Sequence, residues 1–593
     1  MVTLSKVKEV LKRHANFIGP GLVSSIAYID PGNWATDLEA GANYGYTVVL
    51  QTLSVRLGAV TSNSLPKETR KLFLHWEAEY PKYRKLFRAG LWTLWALAEI
   101  AIIATDLAEL LGSAIALNLL FPKLPLYAGV LITAADVMVI LVFFRSNKGR
   151  QGMMFFEIIL VAMVLAVFVS FMILLNLVKP DWREVFLGLV PSSTLVKPGA
   201  LYIGIATVMP HALFLGSHLA SVDRLNMRPE LPMRTRKPMN QRLPSILSSL
   251  KMRRRRPGNT SADNVELDNM ERTLAAEPVC GSIAEPSTPV TPVTEVPKKD
   301  DDRDDDDAEY QLALKQYEAD VRTFDRIRWV TLHVNHATVD TIYSLLGFAL
   351  TINSAILTLA GAIFYYGTSG VSADDADLVG AHNLIRDYVG NGGAIIFALA
   401  LLCAGQSASI TATLAGQVVS EGFLQWNINP MLRRVITRLI GVIPAAVVAS
   451  AVGMKGLNTM LVASQVALCI VLPTVTVPLV YLCSRKSVMR VEGPVQELPS
   501  SRPPSPSGSA VSAPARQRQL SSLGRSTAPE SECRPSTLAG SVQSAPAAPA
   551  PLGLRRVKHF VSPWWMTAIG WLLCAIVILA NGYVIVELAL GNG

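Results

Sequence analysis

The chain alternates long apolar runs with polar connections. The run from Phe155 to Val178 contains one acid, Glu157, and no basic residue. About 20 apolar residues in a helix cross the roughly 30 Å hydrocarbon core of a bilayer, and runs of this kind recur along the chain. Eleven candidate spans are predicted, near residues 17–40, 44–60, 91–120, 126–144, 155–178, 200–220, 343–367, 387–405, 435–453, 457–483 and 565–590. The pattern predicts an all-α, polytopic membrane protein.

Two long polar insertions interrupt this pattern. Residues 222–336 contain a basic block, a stretch rich in Ser, Thr and Pro, and an acidic block, while residues 484–563 are rich in Ser, Pro and Ala. Such compositions are typical of disordered segments. The predicted organisation is therefore helices 1–6 in residues 1–221, a disordered loop in 222–336, helices 7–10 in 337–483, a disordered loop in 484–563 and helix 11 in 564–593.

Composition and charge narrow the class of protein further. Of 593 residues, 50% are hydrophobic and 17% are charged, whereas about a quarter of a soluble domain is charged. The net charge of +9 comes largely from Lys and Arg in alternate connections, which is the pattern of cytoplasmic loops rather than of a nucleic-acid-binding surface. We therefore predict a cytoplasmic N-terminus, cytoplasmic insertions open to regulatory partners, the lipid membrane as a partner and no nucleic acid partner.

No pattern of catalytic or cofactor-binding residues accompanies the apolar runs. The six cysteines include no CxxC pair, which argues against a zinc site or a disulfide framework. The sequence also lacks a phosphate-binding loop and a nucleophile motif. We predict that the chain is not an enzyme and holds no cofactor.

Two predicted spans are interrupted in mid-membrane. The first contains Gly19-Pro20-Gly21 and then Asp30-Pro31-Gly32-Asn33, and the sixth contains the stretch from Gly204 to His211 with Pro210 inside it. Proline removes a backbone donor and glycine adds freedom, and an unwound segment in a membrane is tolerated where it lines a cavity or binds something. Interruptions at matching places in two halves of a chain point to a transporter's substrate site.

The side chains at these breaks suit a divalent transition metal. Asp30 offers a carboxylate oxygen, Asn33 an amide oxygen and Met209 a thioether, and Ala27 and Ala206 could present freed carbonyls. Oxygen ligands suit hard divalent ions, whereas a thioether adds a softness that Mg²⁺ and Ca²⁺ do not use. Together these groups predict a site for an ion such as Mn²⁺ or Fe²⁺.

Three acids recur along the third span. Glu99, Asp106 and Glu109 lie at i, i+7 and i+10, which places them near one helical face. Burying an acid inside a membrane span costs free energy, so such acids usually have a function. The alternative is a structural ion pair. His211 follows Met209 closely, and because an unperturbed histidine titrates near neutral pH, it is a further candidate for proton transfer.

Four blocks of sequence resemble the Nramp family of proton-coupled divalent metal-ion transporters. They are Asp30-Pro31-Gly32-Asn33, Met209-Pro210-His211, the third-span stretch from Glu99 to Glu109, and the stretch from Gly405 to Gln417, which is similar to the family's transport signature after helix 8. The resemblance implies a leucine-transporter-type fold with a 5+5 inverted repeat and an eleventh helix. It implies a metal site formed by Asp30, Asn33, Met209 and the Ala206 carbonyl, with help from Ala27 and Gln465.

The resemblance also implies a proton route and a transport reaction. It assigns proton uptake and release to Asp30, His211, Asp106 and Glu109, with Glu99 nearby, and it suggests that Arg433 or Arg434 pairs with these acids. The implied function is symport of metal ions and protons toward the cytosol by alternating access. The metal is then a substrate, and the plasma membrane and a vacuolar or endosomal membrane are both open as locations.

The second span departs from the family. After Tyr44 the chain reaches the stretch from Gln51 to Gly58 almost at once, about a dozen apolar residues sooner than the family does. Two explanations account for this difference. Either the second helix is short and thins the bilayer locally, or the chain derives from an incomplete gene model or splice form. Three functions therefore stay open. The first is an active metal transporter, and the second is a transporter-like sensor or receptor, or a transport-impaired variant. The third is a carrier of small organic solutes, against which the metal-binding side chains argue.

Overall fold

The computed structural model describes residues 20–34, 45–146, 150–188, 209–229, 231–232, 301–365, 377–425, 430–496 and 554–590. The chain divides into two compact units, one of residues 1–227 with 325–593 and one of residues 228–324. The first unit contains all the helices that correspond to predicted spans.

The helices of the first unit follow the predicted spans in order. They are α1 (Pro20–Ile26), α2 (Gly45–Thr61), α3 (Leu65–Glu79), α4 (Arg84–Leu120), α5 (Leu126–Ser146), α6 (Arg150–Val178), α7 (Trp182–Gly188), α8 (Pro210–Ser221), α10 (Arg326–Ser344), α11 (Thr351–Ala360), α12 (Leu378–Val389), α13 (Asn391–Phe423), α14 (Pro430–Ala451), α15 (Met454–Ser484) and α16 (Trp564–Leu590). Two π-helical segments, Leu345–Leu350 and Gly361–Tyr365, extend α10 and α11 into one long helical rod.

Six helical segments in the described part of the chain are long and apolar enough to cross a membrane. They are Pro81–Leu120, Glu157–Val178, Arg326–Ile363, Asn391–Phe423, Met454–Ser484 and Trp564–Tyr583. Shorter apolar helices cover Val48–Thr61, Leu126–Asp136 and Val435–Ala451. The multi-pass membrane architecture predicted from the apolar runs is thereby confirmed.

The core of the bundle is formed around α4 and α13. These helices pack along each other, α15 packs on α4, and α6 packs on α13. Small residues permit the close approach: a Cβ added to Gly405 of α13 would lie 2.2 Å from the Ser113 hydroxyl of α4. The helix α2 packs against α8 and α10, and α5 packs against α14.

Several predicted boundaries are corrected. The eighth helix continues to Phe423, so the stretch from Gly405 to Gln417 lies inside it and not after it. The seventh begins at Arg326, eleven residues before the predicted start of that domain at 337. At the end of the eighth helix, Arg70 donates to the Phe423 carbonyl at 2.8 Å. At the start of the seventh, the N-cap Asp325 accepts from the Arg328 N–H at 3.1 Å.

The ends of both polar insertions form secondary structure. The second unit contains α9 (Asp301–Thr323), in a region predicted to be a disordered loop. In the second insertion, β1 (Arg490–Gln496) pairs antiparallel with β2 (Leu554–His559), with Arg490 opposite His559 and an irregularity between Glu492 and Val495. This two-stranded ribbon is an exception to the all-α prediction. Residues 497–553 lie outside the described part of the chain.

The short second span is a helix of 17 residues, or about 26 Å. It is closely seated on α8: a Cβ on Gly58 would lie 1.9 Å from the Ser217 carbonyl oxygen, and Gln51 donates to the Ala212 carbonyl at 3.2 Å. Between Gln51 and Gly58, Arg56 donates to the Phe560 carbonyl at 3.2 Å. The described part of α2 is therefore held firmly within the bundle, although the helix is short.

Candidate metal-binding and proton-transfer site

The first break exposes the backbone between α1 and Trp34. The chain tightens where Tyr28 donates to the Ser25 carbonyl at 3.1 Å, and helical bonding resumes where Trp34 donates to the Asp30 carbonyl at 3.1 Å. The Ala27 carbonyl would accept from residue 31 in a continuous helix, but residue 31 is proline and has no N–H. The carbonyl that the sequence predicted as a metal ligand is therefore deprived of its helical donor.

The carboxylate of Asp30 is fully buried within this break. Its Oδ2 atom accepts from the Gly32 N–H at 3.2 Å, whereas Oδ1 has no hydrogen-bond partner in the described residues. A buried polar atom left in this state costs about 1–3 kcal/mol and calls for an explanation. A cation bound as substrate is one group that would satisfy it.

Gln465 of α15 lies directly against the break. A Cβ added to Gly32 would lie 1.7 Å from its Nε2 atom and 2.9 Å from Oδ2 of Asp30. The Gln465 side chain is buried, and its Oε1 acceptor has no hydrogen-bond partner in the part of the chain that the structure describes. Glycine at position 32 thus lets an amide from α15 reach the side of the Asp30 carboxylate, as the sequence predicted for Gln465.

Asn33 is buried beside Asp30 and helps to hold the break open. Its Nδ2 donates to the Tyr28 carbonyl at 3.2 Å, and Asn353 of α11 donates to the same carbonyl at 2.8 Å. The Asn33 amide nitrogen is thereby engaged by the backbone of the break. Asn353 was not predicted from the sequence.

At the second predicted interruption, the described chain begins with Met209, which is the N-cap of α8 and is fully buried. Pro210 occupies the first helical position, where its missing N–H costs nothing. A proline thus follows Met209 at the start of α8, just as a proline interrupts the first span. Ala206, the predicted carbonyl ligand, lies outside the described residues.

His211 connects this second break to α4. It is fully buried, and its Nδ1 atom lies 3.3 Å from the Thr105 hydroxyl oxygen. That hydroxyl donates to the Ala101 carbonyl at 2.9 Å, so its oxygen is placed to accept from an Nδ1–H. The Nε2 atom of His211 has no hydrogen-bond partner in the described structure, which leaves it able to exchange a proton or bind a neighbouring group.

Asp106, the residue after Thr105, is paired with Arg438 of α14. The guanidinium donates to the Asp106 carboxylate, to the Ser409 hydroxyl at 2.8 Å and to the Thr133 carbonyl at 3.3 Å. The pair thereby joins α4, α5, α13 and α14. Charge-assisted hydrogen bonds of this kind are about twice as strong as neutral ones.

The basic partner of Asp106 was not predicted from the sequence. It is Arg438, at least one helical turn farther along α14 than Arg433 and Arg434. The side chains of Arg433 and Arg434 lie outside the described residues, so their pairing with the acids stays a prediction. Arg438 could have been found as the one charge within the predicted ninth span, since intramembrane charges default to function.

The other two acids of α4 have different surroundings. Glu109 is fully buried, and neither carboxylate oxygen has a hydrogen-bond partner among the residues that are described. Glu99 is half-buried and accepts from the Ser420 hydroxyl at 2.6 Å. Seven residues of helix, about 10 Å, separate Glu99 from Asp106, so only Asp106 and Glu109 lie in the buried interior.

The chemistry of the site follows from its donors. No group of three or more His, Cys, Asp or Glu side chains is placed to hold a metal ion within the described ranges. An ion at Asp30 would therefore be held by one carboxylate together with amide, carbonyl and thioether donors, a set of low charge. Such a site favours binding that is weak enough to be reversed.

Comparisons with known proteins show which family the chain belongs to. The family model described as "Natural resistance-associated macrophage protein-like" matches residues 21–240 and 313–492. The chain is 38% identical to the manganese transporter pdt1 of Schizosaccharomyces pombe, over 81% of this chain and 77% of that protein. It is 34% identical to the iron transporter SMF3 of Saccharomyces cerevisiae, over 82% and 84%. These relatives are transporters, in agreement with the prediction that the chain is not an enzyme.

Solved structures show the fold. The chain superposes on the crystal structure of the Eremococcus coleocola manganese transporter in complex with an aromatic bis-isothiourea compound, with a TM-score of 0.58 and 22% sequence identity, over 96% of this chain and 86% of that one. The leucine-transporter-type fold predicted from the sequence is thereby confirmed. Since the family model covers well over half of the chain, the protein belongs to the Nramp family.

Proposed function

We propose that this protein carries divalent transition-metal ions such as Mn²⁺ and Fe²⁺ across its membrane, together with protons, toward the cytosol. The observation that carries the proposal is the buried Asp30 carboxylate at the broken helix, with an unengaged oxygen and the Gln465 amide beside it. The names of the relatives, manganese and iron transporters, support the class of substrate.

The metal is held by side chains and carbonyls that the two breaks supply. Asp30 provides the charge, and Asn33, Gln465 and the carbonyls of Ala27 and Ala206 provide neutral oxygens. Met209 provides the thioether that favours a transition metal over Ca²⁺ or Mg²⁺. The spacing supports a matched role for the two carbonyls, because Ala206 lies four residues before Pro210 just as Ala27 lies four residues before Pro31.

A second group of residues, next to the proposed metal ligands, exchanges protons. A bound dication favours the ionised form of a carboxylate, so an ion that arrives at Asp30 displaces a proton from it. His211 with Thr105 lies beside Met209, and Glu109 with the Asp106–Arg438 pair lies farther along the interior. These groups relay the proton away from the metal, and the half-buried Glu99, seven residues nearer the start of α4 than Asp106, receives it.

Alternating access requires the two broken helices to move against the rest of the bundle. Close packing of α4 with α13 and α15 forms the static part, while α1, α2 and α8 carry the site or touch it. Lys and Arg in alternate connections orient the N-terminus toward the cytosol. Metal therefore enters from the opposite side and leaves toward the N-terminal side.

The short α2 supports a second candidate, a transport-impaired protein that binds metal and acts as a sensor. Its 17 residues are fewer than the ~20 that a full crossing requires. Against this candidate, Gln51 accepts from the Tyr28 hydroxyl at 3.1 Å and donates to α8. The described part of α2 thus keeps its contacts with both broken helices.

One assay separates the two candidates. The purified chain is reconstituted in vesicles, and uptake of radioactive Mn²⁺ is measured with and without an inward proton gradient while internal pH is recorded. Coupled symport predicts that the gradient accelerates Mn²⁺ uptake and that Mn²⁺ accelerates acidification. Mn²⁺ binding without uptake would favour the sensor, and uptake that ignores the gradient would remove the coupling.

A further inference from the structure

The end of the bundle at which α2 ends and α4 begins carries a surface that the proposed transport does not use. We define the α3–α4 hairpin as residues 65–90, which comprise α3, the 3-10 turn Pro81–Tyr83 and the first turns of α4. This segment contains seven Lys or Arg residues and three Glu residues, a net charge of +4. Its charge and its exposed aromatic residues together suggest a defined partner.

The helix α4 is longer than a membrane requires. Its 37 residues make about 55 Å of helix, against ~20 residues for a crossing. Trp92 and Trp95 lie about two turns from its start with ring centroids 5.5 Å apart, and tryptophan is enriched at the membrane–water interface. The turns before Trp92, with the hairpin that precedes them, are therefore expected at the level of the phospholipid headgroups.

Exposed apolar side chains lie in this headgroup region. Leu86 is 67% exposed, and Tyr80 and Tyr83 are each 49% exposed. Residues of this size on a surface facing only water would lose the benefit of burial, whereas the aromatic ring of tyrosine suits the boundary between headgroups and hydrocarbon. The hairpin thus presents an apolar edge where a membrane interface can cover it.

The cations on this edge divide into two groups. Glu77 accepts from Arg84 at 2.5 Å and from Arg88 at 2.6 Å, and these hydrogen bonds, that from Arg84 above all, lower the pKa of the Glu77 carboxyl. The two arginines thereby clamp the end of α3 to the start of α4. By contrast, Lys82 and Lys85 are exposed and have no ion pair within the described residues.

The hairpin is also held rigidly enough to present these groups in a fixed arrangement. The Trp76 ring lies 5.9 Å from the ring of Phe87 and 5.9 Å from that of Tyr481 of α15, measured between centroids. Arg70 bonds the end of α13 through the Phe423 carbonyl. A ligand on the hairpin would therefore be connected to α2, α13 and α15 through short contacts.

We propose that the α3–α4 hairpin binds the anionic phospholipid headgroups of the adjoining leaflet. Lys82 and Lys85 meet the phosphate and carboxylate groups, and Tyr83 and Leu86 enter the interface between them. Each lysine near an anionic leaflet adds to the attraction. Because the hairpin joins α2 to α4, bound lipid stabilises the connection between a helix that touches both breaks and the helix that carries Asp106 and Glu109.

The test measures lipid contact rather than transport. The full chain is placed in nanodiscs of phosphatidylcholine alone or of phosphatidylcholine mixed with phosphatidylserine, and hydrogen exchange of residues 80–90 is followed. We expect exchange to be several-fold slower with phosphatidylserine, and this protection to be lost in the double variant Lys82→Glu/Lys85→Glu. The double variant Lys123→Glu/Lys455→Glu changes the charge equally at two other exposed lysines and should keep the protection.

The remaining outcomes are decisive as well. Unchanged exchange of α13 in both variants shows that they are folded. Equal exchange of residues 80–90 in the two lipid compositions would overturn the proposal. The proposal would also be overturned if residues 80–90 were protected in phosphatidylcholine alone and lost that protection when Asp304–Asp307 are replaced by Asn. In that case the acidic segment of this chain, and not lipid, would bind the hairpin.

Discussion

Arg438 of α14 donates a hydrogen bond to the carboxylate of Asp106 of α4 in the interior of the bundle, where the two residues are 6% and 8% exposed. Within the described residues, these two charges, taken out of water, are stabilised by each other and by the Ser409 hydroxyl and the Thr133 carbonyl. The pair therefore holds together the helices that we propose to stay static during transport.

Removing one member of this pair should be costly. Arg438→Ala leaves a buried carboxylate without its cation, so we expect the free energy of unfolding to fall by about 3–5 kcal/mol. The double variant Asp106→Leu/Arg438→Met replaces the pair by apolar residues and should recover most of that loss. Thermal unfolding in detergent measures both. A double variant as unstable as the single one would show that the pair is not the cause.

The same double variant separates stability from proton transfer. With its fold restored but its acid missing, it should bind Mn²⁺ and yet acidify the vesicle interior more slowly during uptake. Mn²⁺-dependent acidification at the original rate would remove Asp106 from the proton route.

Thr105 should affect proton-coupled uptake through His211. Thr105→Val keeps the shape of the side chain but removes the oxygen that lies 3.3 Å from Nδ1. The loss of one hydrogen bond of about 1 kcal/mol corresponds to roughly a fivefold slower rate. Thr93→Val is the matched control on the same helix, because Thr93 bonds only its own helix at Ala89. Equal effects of the two variants on proton-driven Mn²⁺ uptake would contradict the role of His211.

Glycine at position 32 is required by the approach of α15. An added Cβ would lie 1.7 Å from the Gln465 Nε2 atom, so Gly32→Ala must displace that amide from Asp30. We expect Mn²⁺ affinity to fall at least about tenfold, or ~1.4 kcal/mol. Gly582→Ala has open space around its Cβ and should bind Mn²⁺ normally. Isothermal titration of both variants checks this, and equal affinities would place the metal elsewhere.

Met209 should set the preference for transition metals. Met209→Ala removes the only soft donor, so we expect discrimination between Mn²⁺ and Ca²⁺ to fall about tenfold. Met460→Ala is a control, since Met460 lines a shallow apolar groove between α4 and α15. Competition of Ca²⁺ with radioactive Mn²⁺ measures the ratio. Undiminished exclusion of Ca²⁺ would remove the thioether from the site.

The sequence predicted those parts of the site that depend on the local chain. Asp30, Asn33 and Met209 stand beside prolines, and a proline removes a helical donor wherever the chain goes. The long apolar runs likewise predicted the helices, since a bilayer requires a minimum length of them. The three acids of α4 were found by their spacing, although only Asp106 and Glu109 lie in the interior.

The contacts between distant residues could not be predicted in the same way. Asn353 meets the Tyr28 carbonyl across more than 300 residues, and nothing in either local pattern specifies that contact. The choice of Arg438 over its neighbours depends on which side of α14 faces α4. The β-ribbon was missed because it is short and borders an insertion of polar composition, where pairing of two distant strands decides the structure.

If metal crosses the membrane on the Asp30 carboxylate, removing that carboxylate must stop transport. Uptake of radioactive Mn²⁺ is measured into vesicles containing either the original chain or Asp30→Ala, with equal amounts of folded protein confirmed by gel filtration. We expect proton-driven uptake by the original chain and uptake by Asp30→Ala no faster than in empty vesicles. Uptake by Asp30→Ala at a comparable rate would contradict it.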